Sequence, residues 1–198
     1  MSNYKTVFFI LGVLQIILGL SMIVPIMAQF YYNQVDSGFI GSGLVSIIFG
    51  VLFFLSNLDY EKKLTLPQAF LLTALSWLSI AIFGSLPFVF SDLSLSFTNA
   101  FFESMSGITT TGSTILTNLN ETPKAILLWR AMLQWLGGIG IIVMAITLMP
   151  IMNIGGMQLF VISNTHTPEK ILPKSKEISI RLIAIYSSLT LVLSLIHI

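Results

Sequence analysis

Between two strongly apolar stretches lies a short run, Ile108-Thr109-Thr110-Thr111-Gly112-Ser113-Thr114. Its residue types suit one chemistry. Backbone carbonyls of an extended segment can replace the water shell of a cation. Gly112 supplies the freedom needed to turn a carbonyl toward an axis, and hydroxylated neighbours add oxygens without bulk. Before the run, Leu93–Met105 (LSLSFTNAFFESM) places Leu95, Phe97, Phe101, Phe102 and Met105 at helical spacing. Ser96 or Thr98 is placed to cap its start, and Gly107 to end it. A helix ending there aims the negative end of its dipole at a cation held by the run. The competing reading is an outer loop that is only rich in Thr, since Thr/Ser/Gly clusters are common in loops.

Composition removes most other chemistries. Of 198 residues, 55% are hydrophobic and only 9% charged, against about 25% charged in a soluble domain. There is no Cys, hence no disulfide, thiolate metal site or Cys nucleophile. His166 and His197 are too far apart for a metal cluster. A net charge of +1 gives no basic footprint for nucleic acid. The GxG at 138–140 lies inside an apolar run and lacks the strand–turn–helix setting of a dinucleotide site. Neither an enzyme nor a cofactor is expected. The chain reads as an all-α integral membrane protein.

A crossing helix needs about 20 mostly apolar residues. Spans are expected at Val7–Phe30, Ile40–Leu58, Ala69–Phe90 and Ala125–Met149, the last stopping at Pro150. A fifth begins near Arg181. The first is too long for a signal-peptide core, and no small-residue cleavage pattern follows it. Lys5, Lys62, Lys63, Lys170, Lys174 and Lys176 fall on one side of this arrangement. The opposite loops carry only Lys124, with Asp36, Asp92 and Glu121. The positive side is expected to be cytoplasmic, and with it the N-terminus. Leu93–Met105 is too short to cross, and both its flanks lie on the outer side. That order describes a re-entrant segment dipping in from outside, which is tolerated where it is buried or lines a wet cavity.

At these residues the chain resembles the TrkH/KtrB family of bacterial potassium uptake proteins. The resemblance is carried by Phe101–Gly112 (FFESMSGITTTG), Trp129–Ile142 (WRAMLQWLGGIGII) and Gly155–Phe160 (GGMQLF), in that order and spacing. The two leading helices make it closer to the TrkH branch. The resemblance implies potassium entry through a channel-like pore in the bacterial inner membrane. It assigns Gly112 to the filter glycine retained in each repeat, Thr110 and Thr111 to the ion-lining carbonyls, and Thr109 and Ser113 to the flanks. In plant relatives a Ser at the matching first-repeat glycine goes with sodium, so Gly112 implies potassium. The resemblance also implies a homodimer and a cytoplasmic nucleotide-binding ring partner of the TrkA type, docking where residues 150–180 lie. Potassium is then the substrate.

Family members carry four such repeats around one pore. The expected organisation here is two leading helices over 1–66 and a first pore repeat over 67–150. A cytoplasmic linker over 151–180 and the start of a second repeat at 181–198 follow. The chain is therefore expected to be an N-terminal fragment, because one filter strand cannot surround an ion. A short homotetrameric channel and a non-conducting membrane scaffold are the alternatives.

Glu103 is expected to support the filter from behind rather than to ligate the ion. Arg130 either snorkels outward or pairs with Glu103 or filter carbonyls. Gly137, Gly138 and Gly140 read as close helix packing or as a flexible point, and Gly155 and Gly156 as a hinge. Trp129 reads as an interfacial anchor, and His166 as a solvated loop residue.

Overall fold

The computed structural model describes residues 4–34, 36–60, 64–152 and 171–197. Gly155, Gly156, His166 and most of the expected linker lie outside them. The described residues form seven helices and no strand: α1 Lys5–Ser21, α2 Ile23–Tyr31, α3 Gly38–Ser56, α4 Leu66–Phe90, α5 Phe97–Ile108, α6 Lys124–Met152 and α7 Ile171–His197. Five segments are long and apolar enough to cross a membrane: Lys5–Tyr31, Gly38–Ser56, Leu66–Phe90, Lys124–Ile142 and Glu177–Ser194. The chain divides into two units, Met1–Gly138 and Ile139–Ile198. The first holds the candidate site; in the second, α7 exposes Ile180, Leu191 and Leu193.

The first expected span is one crossing segment built from two helices that meet at Met22. Pro25 causes the break, because it has no N–H to give the Ser21 carbonyl one turn earlier. α1 and α3 then meet backbone to backbone. A Cβ on Gly12 would stand 2.7 Å from the Gly50 carbonyl oxygen, and one on Gly19 would stand 2.9 Å from that of Gly43. Small residues give membrane helices this close approach. Gln15, fully buried on α1, donates to Ser79 Oγ of α4 at 2.5 Å and ties the pair to the next helix.

α4 starts with a capping box, the Thr65 N–H donating to Gln68 Oε1 at 2.8 Å, with Pro67 in the first turn. Leu93–Ser96 do not belong to α5, contrary to expectation. Ser94 takes a left-handed φ of 44° in a tight turn, and Ser96 caps α5 by accepting from the Asn99 N–H at 3.4 Å. At its other end α5 passes through Gly107, which is no terminator; its bare Cα faces Leu133 of α6. Pro150 likewise does not end α6, since a proline φ suits a helix and costs one hydrogen bond. α7 begins at Ile171, ahead of Arg181.

Trp129 corrects another expectation. It is fully buried, not interfacial. Its ring stands edge-on to Phe39, with centroids 6.2 Å apart, and its Nε1 donates to the Gly84 carbonyl at 2.9 Å. Phe39, Phe88, Ile126 and Leu133 complete this core beside α5.

Candidate functional site

α5 has 12 residues, roughly 18 Å of helix, against a hydrocarbon core of about 30 Å. Its last turn closes in a Schellman motif. The Thr110 N–H donates to the Gly107 carbonyl at 2.9 Å, and the Thr111 N–H to the Ser106 carbonyl at 3.0 Å. The left-handed position that glycine usually fills is Thr110, with φ 59°. A β-branched residue there is strained by about 1–2 kcal/mol. Two residues on, Gly112 is left-handed again at φ 79°. The segment 109–113 thus turns twice in five residues, and all five are exposed.

An ion pair between α5 and α6 holds this segment. Glu103 on α5 is fully buried and pairs through Oε1 with Arg130 Nε of α6. Its Oε2 accepts from Thr114 Oγ1 at 3.1 Å and from the Ile115 N–H at 3.0 Å. Arg130 Nη2 then donates to the Gly112 carbonyl at 2.9 Å and the Ser113 carbonyl at 3.2 Å. Ser106 Oγ also donates to the Ser113 carbonyl, at 2.6 Å. Arg130 therefore points inward to Glu103 and the strand.

The clamp divides the carbonyls into two sets. Those of Gly112 and Ser113 are engaged by the protein. Those of Thr109, Thr110 and Thr111 accept no hydrogen bond among the described residues. The hydroxyls of Thr109 and Thr111 lie 2.9 Å apart, and that of Thr109 donates to the Met105 carbonyl at 2.7 Å. Oxygens left open beside the negative end of a helix, on a segment held in place by its neighbours, can coordinate a cation. No group of three or more His, Asp or Glu able to hold a metal occurs among the described residues.

Gly137 lies where α6 passes the end of α5, and a Cβ there would collide with the Ile108 carbonyl oxygen. Gly138 is half-buried next to it, and Gly140 faces open space. Sequence reasoning missed Ser106, Thr114 and Ile115 as partners of the clamp. Ser106 had a usable signal, because it stands three residues after Glu103 on the same face of an otherwise apolar half helix.

The profile of the TrkH family, described as a cation transport protein, matches residues 5–198. The chain belongs to the TrkH family. It is 36% identical over 189 residues to the Trk system potassium uptake protein TrkI of Halomonas elongata, covering 95% of this chain and 38% of that protein. To the Trk system potassium uptake protein TrkH of Escherichia coli K12 it is 39% identical over 160 residues, 80% of this chain and 33% of that protein. The crystal structure of the potassium transporter TrkH from Vibrio parahaemolyticus matches with a TM-score of 0.83 at 34% identity, over 96% of this chain and 38% of that one. The chain spans two fifths or less of the length of these relatives. As a TrkH-family chain with five apolar helices it is a multi-pass membrane protein of a transport family, not an enzyme.

Proposed function

We propose that this TrkH-family chain forms one wall of a channel-like pore for potassium uptake. The observation that carries the reading is the division of carbonyls. Thr109, Thr110 and Thr111 keep theirs open, while Arg130, paired with Glu103, engages those of Gly112 and Ser113. The names of the relatives, potassium uptake proteins and a potassium transporter, support the ion. In this reading α5 is a re-entrant pore helix between the outer helix α4 and the inner helix α6. Thr109–Thr111 are the ligands, Gly112 supplies the turn, and Ser113 is the anchor. One strand cannot surround an ion, so the other walls come from further repeats of the kind the longer relatives have room for.

The rest of the assignment follows the loop charges. The N-terminus and the 150–180 region face the cytoplasm, and the membrane is the bacterial inner membrane. A second copy and a nucleotide-binding ring partner of the TrkA type complete the assembly, the latter at residues 150–180. The test is Gly112→Ser, made in the complete coding sequence and expressed in cells lacking other potassium uptake. Rubidium uptake against a sodium gradient is measured. Loss of the preference over sodium is expected, and a variant as selective as its parent overturns the filter assignment.

A further inference from the structure

Beside Gly112, which Arg130 already engages, stands a second polar residue that the clamp does not use. Gln134 is four residues after Arg130 on α6, one turn further along the same face. Outside Thr111–Ser113, the heavy atom nearest to where a Cβ on Gly112 would stand is Gln134 Nε2, at 3.6 Å. Leu133, its neighbour, is buried under Gly84 and Gly107, so the register of α6 carries Gln134 along the exposed strand. Gln134 is half-buried, and its amide has no hydrogen-bond partner among the described residues.

An unpaired primary amide is costly against hydrocarbon, and it is stable only where water or an ion meets it. Gly112, beside it, has its own carbonyl engaged by Arg130, and the open carbonyls of Thr109–Thr111 precede it directly in the chain. We infer that Gln134 is a selectivity-determining residue, its amide oxygen receiving a partly hydrated monovalent cation next to the Thr109–Thr111 carbonyls. A half-turn about the last side-chain torsion exchanges the amide nitrogen and oxygen, so either can meet the path. The filter then extends onto α6, and its preference depends on a side chain as well as on backbone.

This inference rests on the potassium reading, and the test separates the two. The complete gene product is reconstituted in vesicles, and rubidium uptake is measured over a range of concentrations with sodium as competitor. Gln134→Met keeps the volume and removes the polar oxygen. Its half-saturating rubidium concentration is expected to rise about fivefold to tenfold, the worth of one hydrogen bond, with sodium competing better. A Gln134→Met protein that matches its parent in both readouts overturns the inference. If that variant does not assemble, Gln134→Glu decides: the added charge is expected to lower the half-saturating concentration and let barium block at lower concentration. Unchanged values there overturn the inference as well. A parent that does not prefer rubidium to sodium overturns the potassium reading itself, and this inference with it.

Discussion

At the scale of single residues the site is a matter of charge compensation and of one strained turn. Glu103→Gln leaves Arg130 beside the strand with no counter-charge, and Arg130→Gln leaves the buried carboxylate alone. Each is expected to cost about 3–5 kcal/mol, and the double variant less than the sum. Unfolding midpoints of all three variants in mild detergent test this; strictly additive losses would falsify the pairing. Thr110→Gly relieves the left-handed strain at the end of α5. It is expected to raise stability by about 1 kcal/mol while loosening the strand, so the midpoint rises as cation preference falls. The two charged partners of the clamp were legible in the sequence because charged residues are rare in apolar runs, which singled out Glu103 and Arg130. The direction of Arg130 was not, since snorkelling and pairing need the same side chain and differ only in what the fold places beside it. Trp129 failed for a related reason: its burial depends on Phe39 and Gly84, which are distant in the chain.

Among the elements, α6 is set by how near its backbone comes to the end of α5. Gly137→Ala puts a methyl group into the Ile108 carbonyl, whereas Gly140→Ala meets nothing within 4 Å among the described residues. The first is expected to destabilise by about 1–3 kcal/mol. The second is expected to be neutral, or to gain up to about 1 kcal/mol from helix propensity. Parallel unfolding curves for the two variants decide the matter, and equal effects would remove the packing role of Gly137. The first four crossing helices were readable from apolar length alone, with ends off by at most three residues, whereas the fifth starts about ten residues ahead of Arg181. The half helix was shifted by three to four residues. Gly107 has the composition of a helix stop, but its function is to let Leu133 approach, and a single glycine does not announce which of these it serves. The Schellman turn was hidden because a Thr holds the position where glycine is the usual marker.

For the whole molecule, membrane orientation is the consequence most open to a direct measurement. The chain has no Cys, so a single introduced thiol is read without background from this sequence. Asn120→Cys is expected to react with an impermeant maleimide on intact cells, and Asp59→Cys only after the membrane is opened. The reverse pattern would invert the arrangement proposed here. The glycine contacts between α1 and α3 matter at a different stage of the protein's existence. Gly12 and Gly50, and Gly19 and Gly43, lie within one hairpin, in which α2 and a short loop connect α1 to α3. That hairpin leaves the ribosome before any filter residue has been made. It can close on itself at once, because its contact surface is complete in the first 56 residues. Gln15, by contrast, finds the partner of its amide nitrogen only when Ser79 on α4 arrives. Damage at these glycines is therefore expected to act on biogenesis: fewer molecules reach the membrane, and in the proposed reading those that arrive keep the parent's cation preference.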